Sequence, residues 1–282
     1  MDARLSTTVV IPAWDAYAGP RLSTALASIR GQDRTSRIVV VDNASVAALP
    51  DLPGAEVVKS ARRLTLGAAR NMGLEGVQTQ NVIFWDADDV MPPGTLAFLE
   101  DELERNPGLV AFGAAIVEDP SGRRHRWPRR WLGRAVRHPM LLATINAVWS
   151  TFPTTGATIM RTAAVRACGG YADADSGEDW CLGAALLFRG RVGWSERPGR
   201  LYLQHAGSSW STYGGPANQL RHAAAVRRRL AEDPSLPVFA RALLPLLGPA
   251  QRAAVASHLM AVALRRAAGR PAALSRRMRA RA

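Results

Sequence analysis

At 282 residues, 48% of them hydrophobic and 21% charged, the chain is long enough to bury a substantial core as one large α/β domain or two smaller ones. A net charge of +13 admits nucleic acid, anionic lipid or an anionic substrate as partners. Thirteen arginines against two acids over residues 217–282 put +11 of that total in a C-terminal tail, and Lys59 is the only lysine among 36 basic residues; the basicity belongs to an Arg-rich appendage, and no nucleic-acid partner is expected.

The amino terminus leads directly into a strand-like run and lacks the charged, apolar and cleavage regions of a secretory leader, so a cytoplasmic location is expected. Residues 7–11 are β-branched and apolar and stop at Pro12. Residues 21–30 carry Leu22, Leu26 and Ile29 at helical spacing, and residues 38–41 form a second apolar strand ending at Asp42. A third strand is predicted over 56–59 and a helix over 67–75. A strand over 82–85 then delivers three carboxylates, Asp86, Asp88 and Asp89, before Met91-Pro92-Pro93-Gly94 ends it. Pro93 marks the start of a helix that runs to Asn106, where Pro107-Gly108 stops it. This alternation predicts a mixed, mainly parallel sheet flanked by helices.

An apolar strand over 109–117 follows. Residues 118–139 are crowded with Arg, His, Trp and Pro and have no clean period, which predicts a loop or short helices at the mouth of a site. A strand over 156–160, a short helix over 163–167, a helix from Glu178 through Phe188, and two short strands over 191–194 and 201–204 come next. Cys168 and Cys181 show neither C-x-x-C spacing nor a histidine at zinc spacing, so both are expected to be free, buried thiols in a reducing compartment. Beyond Gly214-Gly215-Pro216 the sequence is rich in Ala, Leu and Arg and interrupted at Pro234, Pro237, Pro245 and Pro249, which predicts several short helices. The expected organisation is a domain over 1–216, with a donor half over about 1–117 and an acceptor half over about 118–216, followed by a basic helical extension over 217–282. The apolar run at 253–264 contains His258 and is too short to span a bilayer. The extension is a candidate for packing on the domain, for contact with a second copy in a homodimer, or for peripheral contact with the inner face of an anionic membrane.

The residues able to do chemistry fall at strand ends and in loops. Acids at a strand's carboxyl end sit where open α/β sheets bind ligands, and Asp86 and Asp88, alternating around Ala87, can aim hard oxygen ligands at a divalent cation that itself holds a diphosphate. Asp42 can accept the imide N–H of a uracil or thymine ring, although an Asp there also initiates turns. The small residues of Gly67-Ala68-Ala69-Arg70-Asn71-Met72-Gly73 let a helix approach the sheet closely and place Arg70 to meet a diphosphate; a plain amphipathic helix explains the same pattern. Glu178 and Asp179 open a helix, where carboxylates often serve as caps. The alternative is that one of them takes a proton from an acceptor hydroxyl. Trp180 offers a flat face to a sugar or a large side chain to the core. His205 can complete the coordination of a cation, whereas His125, His138, His222 and His258 have no comparable context.

Taken in order, the strand ending in Pro12, the strand ending in Asp42, the Gly-rich helix with Arg70-Asn71, the strand ending in Asp86-Ala87-Asp88, Gly169-Gly170-Tyr171, Glu178-Asp179-Trp180 and Tyr202-Leu203-Gln204-His205 through Ser209 resemble glycosyltransferase family 2, over residues 7–211. The resemblance implies a GT-A (Rossmann-like) fold and a nucleoside diphosphate sugar donor, UDP-linked if Asp42 reads the base. It implies nucleotide contacts from Pro12, Ala13, Asp15, Asp42, Arg70 and Asp86, and Mg²⁺ or Mn²⁺ held by Asp88 with His205. Asp179 would be the catalytic base with Glu178 beside it, and Trp180 and Gly156 would lie near the acceptor or sugar. The family often has Gly where Ala44 stands, which predicts a different path for the loop after Asp42. The resemblance also implies inverting transfer to an acceptor hydroxyl, in a glycan, a lipid-linked glycan, a protein or a small molecule; the Gln-x-x-Arg-Trp motif and membrane helices of processive synthases are absent, which implies that a single sugar is added. Two other readings stand beside this one. A sugar-nucleotide pyrophosphorylase would need a Gly-rich basic loop where the chain has Trp14-Asp15-Ala16-Tyr17. A catalytically degenerate GT-A fold would instead bind anionic surfaces through the tail.

Overall fold

The apolar runs pair into one seven-stranded sheet of order β3-β2-β1-β4-β6-β5-β7 in the computed structural model, which describes residues 5–15, 17, 19–118, 131–203, 216–234, 236 and 238–268. Its strands are β1 (Thr7–Ala13), β2 (Arg37–Asp42), β3 (Glu56–Lys59), β4 (Asn81–Phe84), β5 (Leu109–Val117), β6 (Thr158–Arg161) and β7 (Arg191–Leu201). The helices are α1 (Pro20–Arg30), α2 (Leu66–Glu75), α3 (Thr95–Arg105), α4 (Leu132–Ala135), α5 (Pro139–Val148), α6 (Thr162–Ala167) and α7 (Glu178–Arg189), then α8 (Pro216–Glu232), α9 (Val238–Leu246) and α10 (Gly248–Ala268) in the tail. β6 runs against its neighbours β4 and β5, and the other pairings are parallel. The carboxyl ends of β1, β2, β4 and β7 therefore share one edge. With β2 and β3 on one side of β1 and β4 on the other, the strand order reverses at β1, and a crevice outside the carboxyl ends at such a point is where open sheets take ligands.

Side chains alternate across each strand and divide the core between the two faces. Val10, Val41 and Phe84 pack with α2, α5 and α7 on one face; Val9, Ile11, Val40 and Ile83 pack with α1 and α3 on the other. Gly73 lets α2 come down onto the sheet, since a Cβ there would lie 2.3 Å from Val10 Cγ1 and 3.0 Å from Val41 Cγ2.

Some elements differ from expectation for identifiable reasons. β1 continues through Pro12 instead of stopping at it. The Val10 carbonyl accepts the Trp85 N–H at 2.8 Å on the β4 side, and Pro12 faces that side two residues later, beyond the end of β4, where no N–H is required. Residues 191–201 form one strand, not two, because register shifts opposite Ala114 and Ala115 absorb the Pro198 region without leaving the sheet. α5 was not predicted: it buries Leu142, Ala143, Asn146 and Ala147 but is apolar on its outer face too, at Met140 and Leu141, so it carries no amphipathic signature. Residues 119–130 lie outside the described part of the chain.

The tail helices are longer than the proline spacing suggests. Pro249 occupies the first turn of α10, where its missing N–H has no helical partner to lose, and Pro245 sits one residue from the end of α9. Ala223, Val226, Leu230, Ala240 and Leu244 join the same core as α7, so the tail packs on the sheet domain. No described helix is long and apolar enough to cross a membrane. Cys181 is buried and Cys168 half-buried, both free; burial pushes their thiols up to about 12 and about 11, which keeps them protonated and unreactive.

The loop after β2 holds its form at the cost of local strain. Ala44 takes a left-handed φ of 54°, with its N–H on the Asp42 carbonyl at 2.9 Å and the Ser45 N–H on Asp42 Oδ1 at 3.0 Å. A Cβ in that region costs about 1–2 kcal/mol, and a glycine would give back about 0.4–1 kcal/mol through greater freedom of the unfolded chain. Ala44→Gly is therefore expected to stabilise the protein by up to about 1 kcal/mol, seen as a higher denaturant midpoint at unchanged slope.

Candidate active site

The acidic cluster is built by a crossing of two strand ends. After β4 the indole N–H of Trp85 donates to the Asp89 carbonyl at 3.2 Å and fixes the turn. Val90 then pairs antiparallel with Leu201, the two N–H···O bonds measuring 3.1 and 2.9 Å. That bridge carries Arg200, at the end of β7, beneath the acids. Arg200 Nη2 lies 2.6 Å from Asp86 Oδ2 and also pairs with Asp89 Oδ2, while Asp89 Oδ1 accepts the Leu203 N–H at 3.2 Å. Room for Arg200 comes from Gly156, whose φ is +75° and where a Cβ would sit 2.2 Å from Arg200 Cδ. Gly156 thus accommodates an arginine at the position where the sequence suggested an acceptor contact.

A second guanidinium closes on the same carboxylate from α2. Arg70 Nη2 is 2.8 Å from Asp86 Oδ1 and Nη1 is 2.5 Å from Glu178 Oε1, with the guanidinium 5.0 Å from the Tyr171 ring centre. Arg70 is 2% exposed and both terminal nitrogens are engaged, so in this arrangement it braces carboxylates and does not face an open diphosphate site. Its neighbour Asn71 clamps the Gly-Gly-Tyr turn, accepting the Tyr171 N–H at 2.8 Å and donating to the Tyr171 carbonyl at 2.9 Å. At the start of α2, Asp175 Oδ1 accepts the Leu66 N–H at 3.0 Å and the Thr65 hydroxyl donates to Asp173 at 2.5 Å. α2 thereby holds the loop that presents Glu178 and Asp179.

Asp179 Oδ1 accepts the Trp180 N–H at 2.7 Å, and the Asp179 carbonyl accepts the Thr154 hydroxyl at 2.9 Å. Trp180 is buried and donates its indole N–H to the Asn146 carbonyl, so its ring serves the core and offers no platform to a sugar. Burial pushes Asp179 up, and it pushes Glu178 up to about 7 against the pull of Arg70. Asp89 rises to about 7 as well, through burial and the nearby Asp86 and Asp88 charges, which outweigh Arg200. Asp86 goes the other way: burial opposes its charge, but two guanidiniums hold it below the usual carboxylate range. Around Arg70 and Arg200 stand Asp86, Asp88, Asp89, Glu178 and Asp179, a surplus of negative charge. A divalent cation fits that surplus. Among the described residues no three acids, histidines or cysteines converge as a metal cage; one or two carboxylates completed by substrate phosphates is the ordinary mode for Mg²⁺. His205 lies outside the described residues.

The other strand ends carry the remaining candidates. Asp42 is buried, with Lys59 Nζ 3.6 Å from Oδ2; burial opposes its charge, and Ser45 and Lys59 hold its carboxyl below the usual range. Asp15 Oδ1 accepts the N–H groups of Val46 and Ala47 at 2.9 and 3.1 Å, tying the loop after β1 to the loop after β2. Pro12 and Ala13 are buried in β1 opposite Val41 and Asp42. Two contributors went unseen in the sequence. Arg200, 5% exposed, was one arginine among many. His222 on α8 places Nδ1 3.2 Å from Ser176 Oγ, beside the turn that leads into Glu178, and burial lowers its pKa.

The family described as Glycosyl transferase family 2 matches residues 8–167. The chain is a family 2 glycosyltransferase. No curated protein matches the transferase. Among solved structures it is similar to Staphylococcus aureus TarS 1–349 in complex with UDP-GlcNAc, at 15% identity and TM-score 0.64 over 85% of this chain and 70% of that one. It spans 42% of a longer TarS chain, at TM-score 0.56. It is also similar to the mannosyltransferase PcManGT from Pyrobaculum calidifontis in complex with GDP-Man and Mn²⁺, at 20% identity and TM-score 0.60 over 93% and 76% of the two chains. These likenesses carry the GT-A fold of the transferase.

Two outcomes are expected of the charge arrangement. Arg200→Met leaves Asp86 and Asp89 short of a buried counter-ion and is expected to destabilise by about 3–5 kcal/mol in chemical denaturation. Glu178, raised in the folded state from 4.5 to about 7, contributes stability that is present below pH 4.5 and is lost as pH rises through about 7. Glu178→Gln is expected to flatten the fall in melting temperature over that window.

Proposed function

We propose that the transferase moves one sugar from a nucleoside diphosphate sugar to an acceptor hydroxyl, with inversion at the anomeric carbon. The observation that carries this reading is the acid surplus at the carboxyl edge of the sheet, where Asp86 is held by Arg70 and Arg200 while Asp88 and Asp179 stand beside that clamp. Asp88 would hold Mg²⁺ or Mn²⁺, with His205 as a further ligand. When bound, such a cation supplies positive charge to the departing diphosphate.

Asp179 is the base. The Trp180 N–H fixes one carboxylate oxygen, and the raised pKa that burial imposes makes the carboxylate a better proton acceptor. The acceptor hydroxyl gives its proton to Asp179 as its oxygen attacks the anomeric carbon from the face opposite the leaving diphosphate, and one displacement inverts the centre. Glu178, bonded to Arg70, orients the first turn of α7, which carries Asp179. Pro12, Ala13, Asp15 and Asp42 line the nucleotide end of the crevice, and Asp42 favours a base with an imide N–H such as uracil. The ligands of the similar structures, UDP-GlcNAc and GDP-Man with Mn²⁺, belong to the same donor class.

Asp179→Asn is expected to lower transfer by at least about 100-fold while calorimetry finds donor affinity retained. Asp88→Ala is expected to lose the Mn²⁺-dependent part of donor affinity. Full turnover by Asp179→Asn would overturn the assignment of the base.

A further inference from the structure

α9 buries Ala240 and Leu244 toward α8 and the core. Its other side presents Val238, Phe239, Leu243 and Leu246, exposed by 72, 61, 38 and 72%, at spacings that keep them along one face. Leu246 leads directly into the start of α10. There the guanidiniums of Arg227, from α8, and Arg252, from α10, come within 3.7 and 3.6 Å of the point where a Cβ on Gly248 would stand. Neither arginine has a carboxylate partner among the described residues; Arg227 Nη1 donates to the Gln251 side-chain carbonyl. Burial and the adjacent Arg252 charge both pull the Arg227 pKa down, so the two cations sit together unfavourably. The amino-terminal end of a 21-residue helix adds partial positive charge at the same corner.

We propose that this corner is a docking surface for an anionic phospholipid bilayer, with the α9 stripe sinking to the acyl boundary and Arg227 and Arg252 taking headgroup phosphates. Charge complementarity selects this occupant over a second copy of the chain. An isologous dimer through the patch sets two arginine corners without carboxylate partners against each other. An apolar stripe flanked by arginines suits the membrane interface, where each side meets its own solvent. Such attachment is peripheral and reversible, and it stands independently of the transfer chemistry.

Flotation of the full chain with vesicles of mixed phosphatidylglycerol and phosphatidylcholine, against vesicles of phosphatidylcholine alone, tests the proposal. Binding is expected to the anionic vesicles only and to weaken with salt. Arg227→Gln with Arg252→Gln is expected to reduce affinity about thirty-fold, at about 1 kcal/mol per arginine. Phe239→Glu with Leu246→Glu, both at exposed positions, is expected to abolish flotation at an unchanged melting temperature. The comparison of vesicle compositions with the unaltered chain decides even where a variant folds poorly. Absence of flotation by the unaltered chain, equal binding to both vesicle types, or a solution dimer that Phe239→Glu dissociates would each overturn it.

Discussion

Asp86 sits between two guanidiniums that are almost wholly buried, and the site is arranged around that clamp. One carboxylate oxygen takes Arg70 and the other takes Arg200. Burying two cations is costly unless each is answered at close range, and the answer comes from acids on two separate elements: the turn after β4, which bears Asp86 and Asp89, and the start of α7, which bears Glu178. Removing either of these elements leaves a charge without its partner. The clamp explains why motifs scattered over more than a hundred residues occur together in one chain: Arg70 and Asn71 serve the loop before α7, and the acids after β4 serve Arg200.

The fold was largely legible because its signals are local. β-Branched runs of strand length, helices with apolar faces and Pro-Gly stops gave the order and type of the elements from Thr7 to Val117. The exceptions share a cause, which is that pairing partners override local sequence. Pro12 stays in a strand because its neighbour strand has already ended, and the Pro198 region stays in the sheet because β5 accommodates the shift. α5 hid behind an even distribution of apolar residues.

The site was legible in part. Acids at strand ends announce themselves, because carboxylates seldom follow an apolar run without a reason. Arg200 gave no such signal in a chain so rich in arginine, and neither Gly156 nor Trp180 revealed that its work was packing. Gly156 clears space for Arg200, and Trp180 fills the core beneath Asp179. The tail, which by composition looked like an appendage, supplies apolar residues to the core that supports α7 and brings His222 to the turn before it.

The bridge between Val90 and Leu201 also ties together parts of the chain that lie far apart in sequence. The residues that define the strand-end acids emerge early in synthesis, but the arginine that answers Asp86 and Asp89 follows more than a hundred residues later. Contacts of that span close slowly, since loop-closure entropy must be met before they stabilise anything. Until β7 docks, Asp86 has Arg70 alone and Asp89 lacks its guanidinium. That polar corner is complete only once β7 is docked and its arginine is in place.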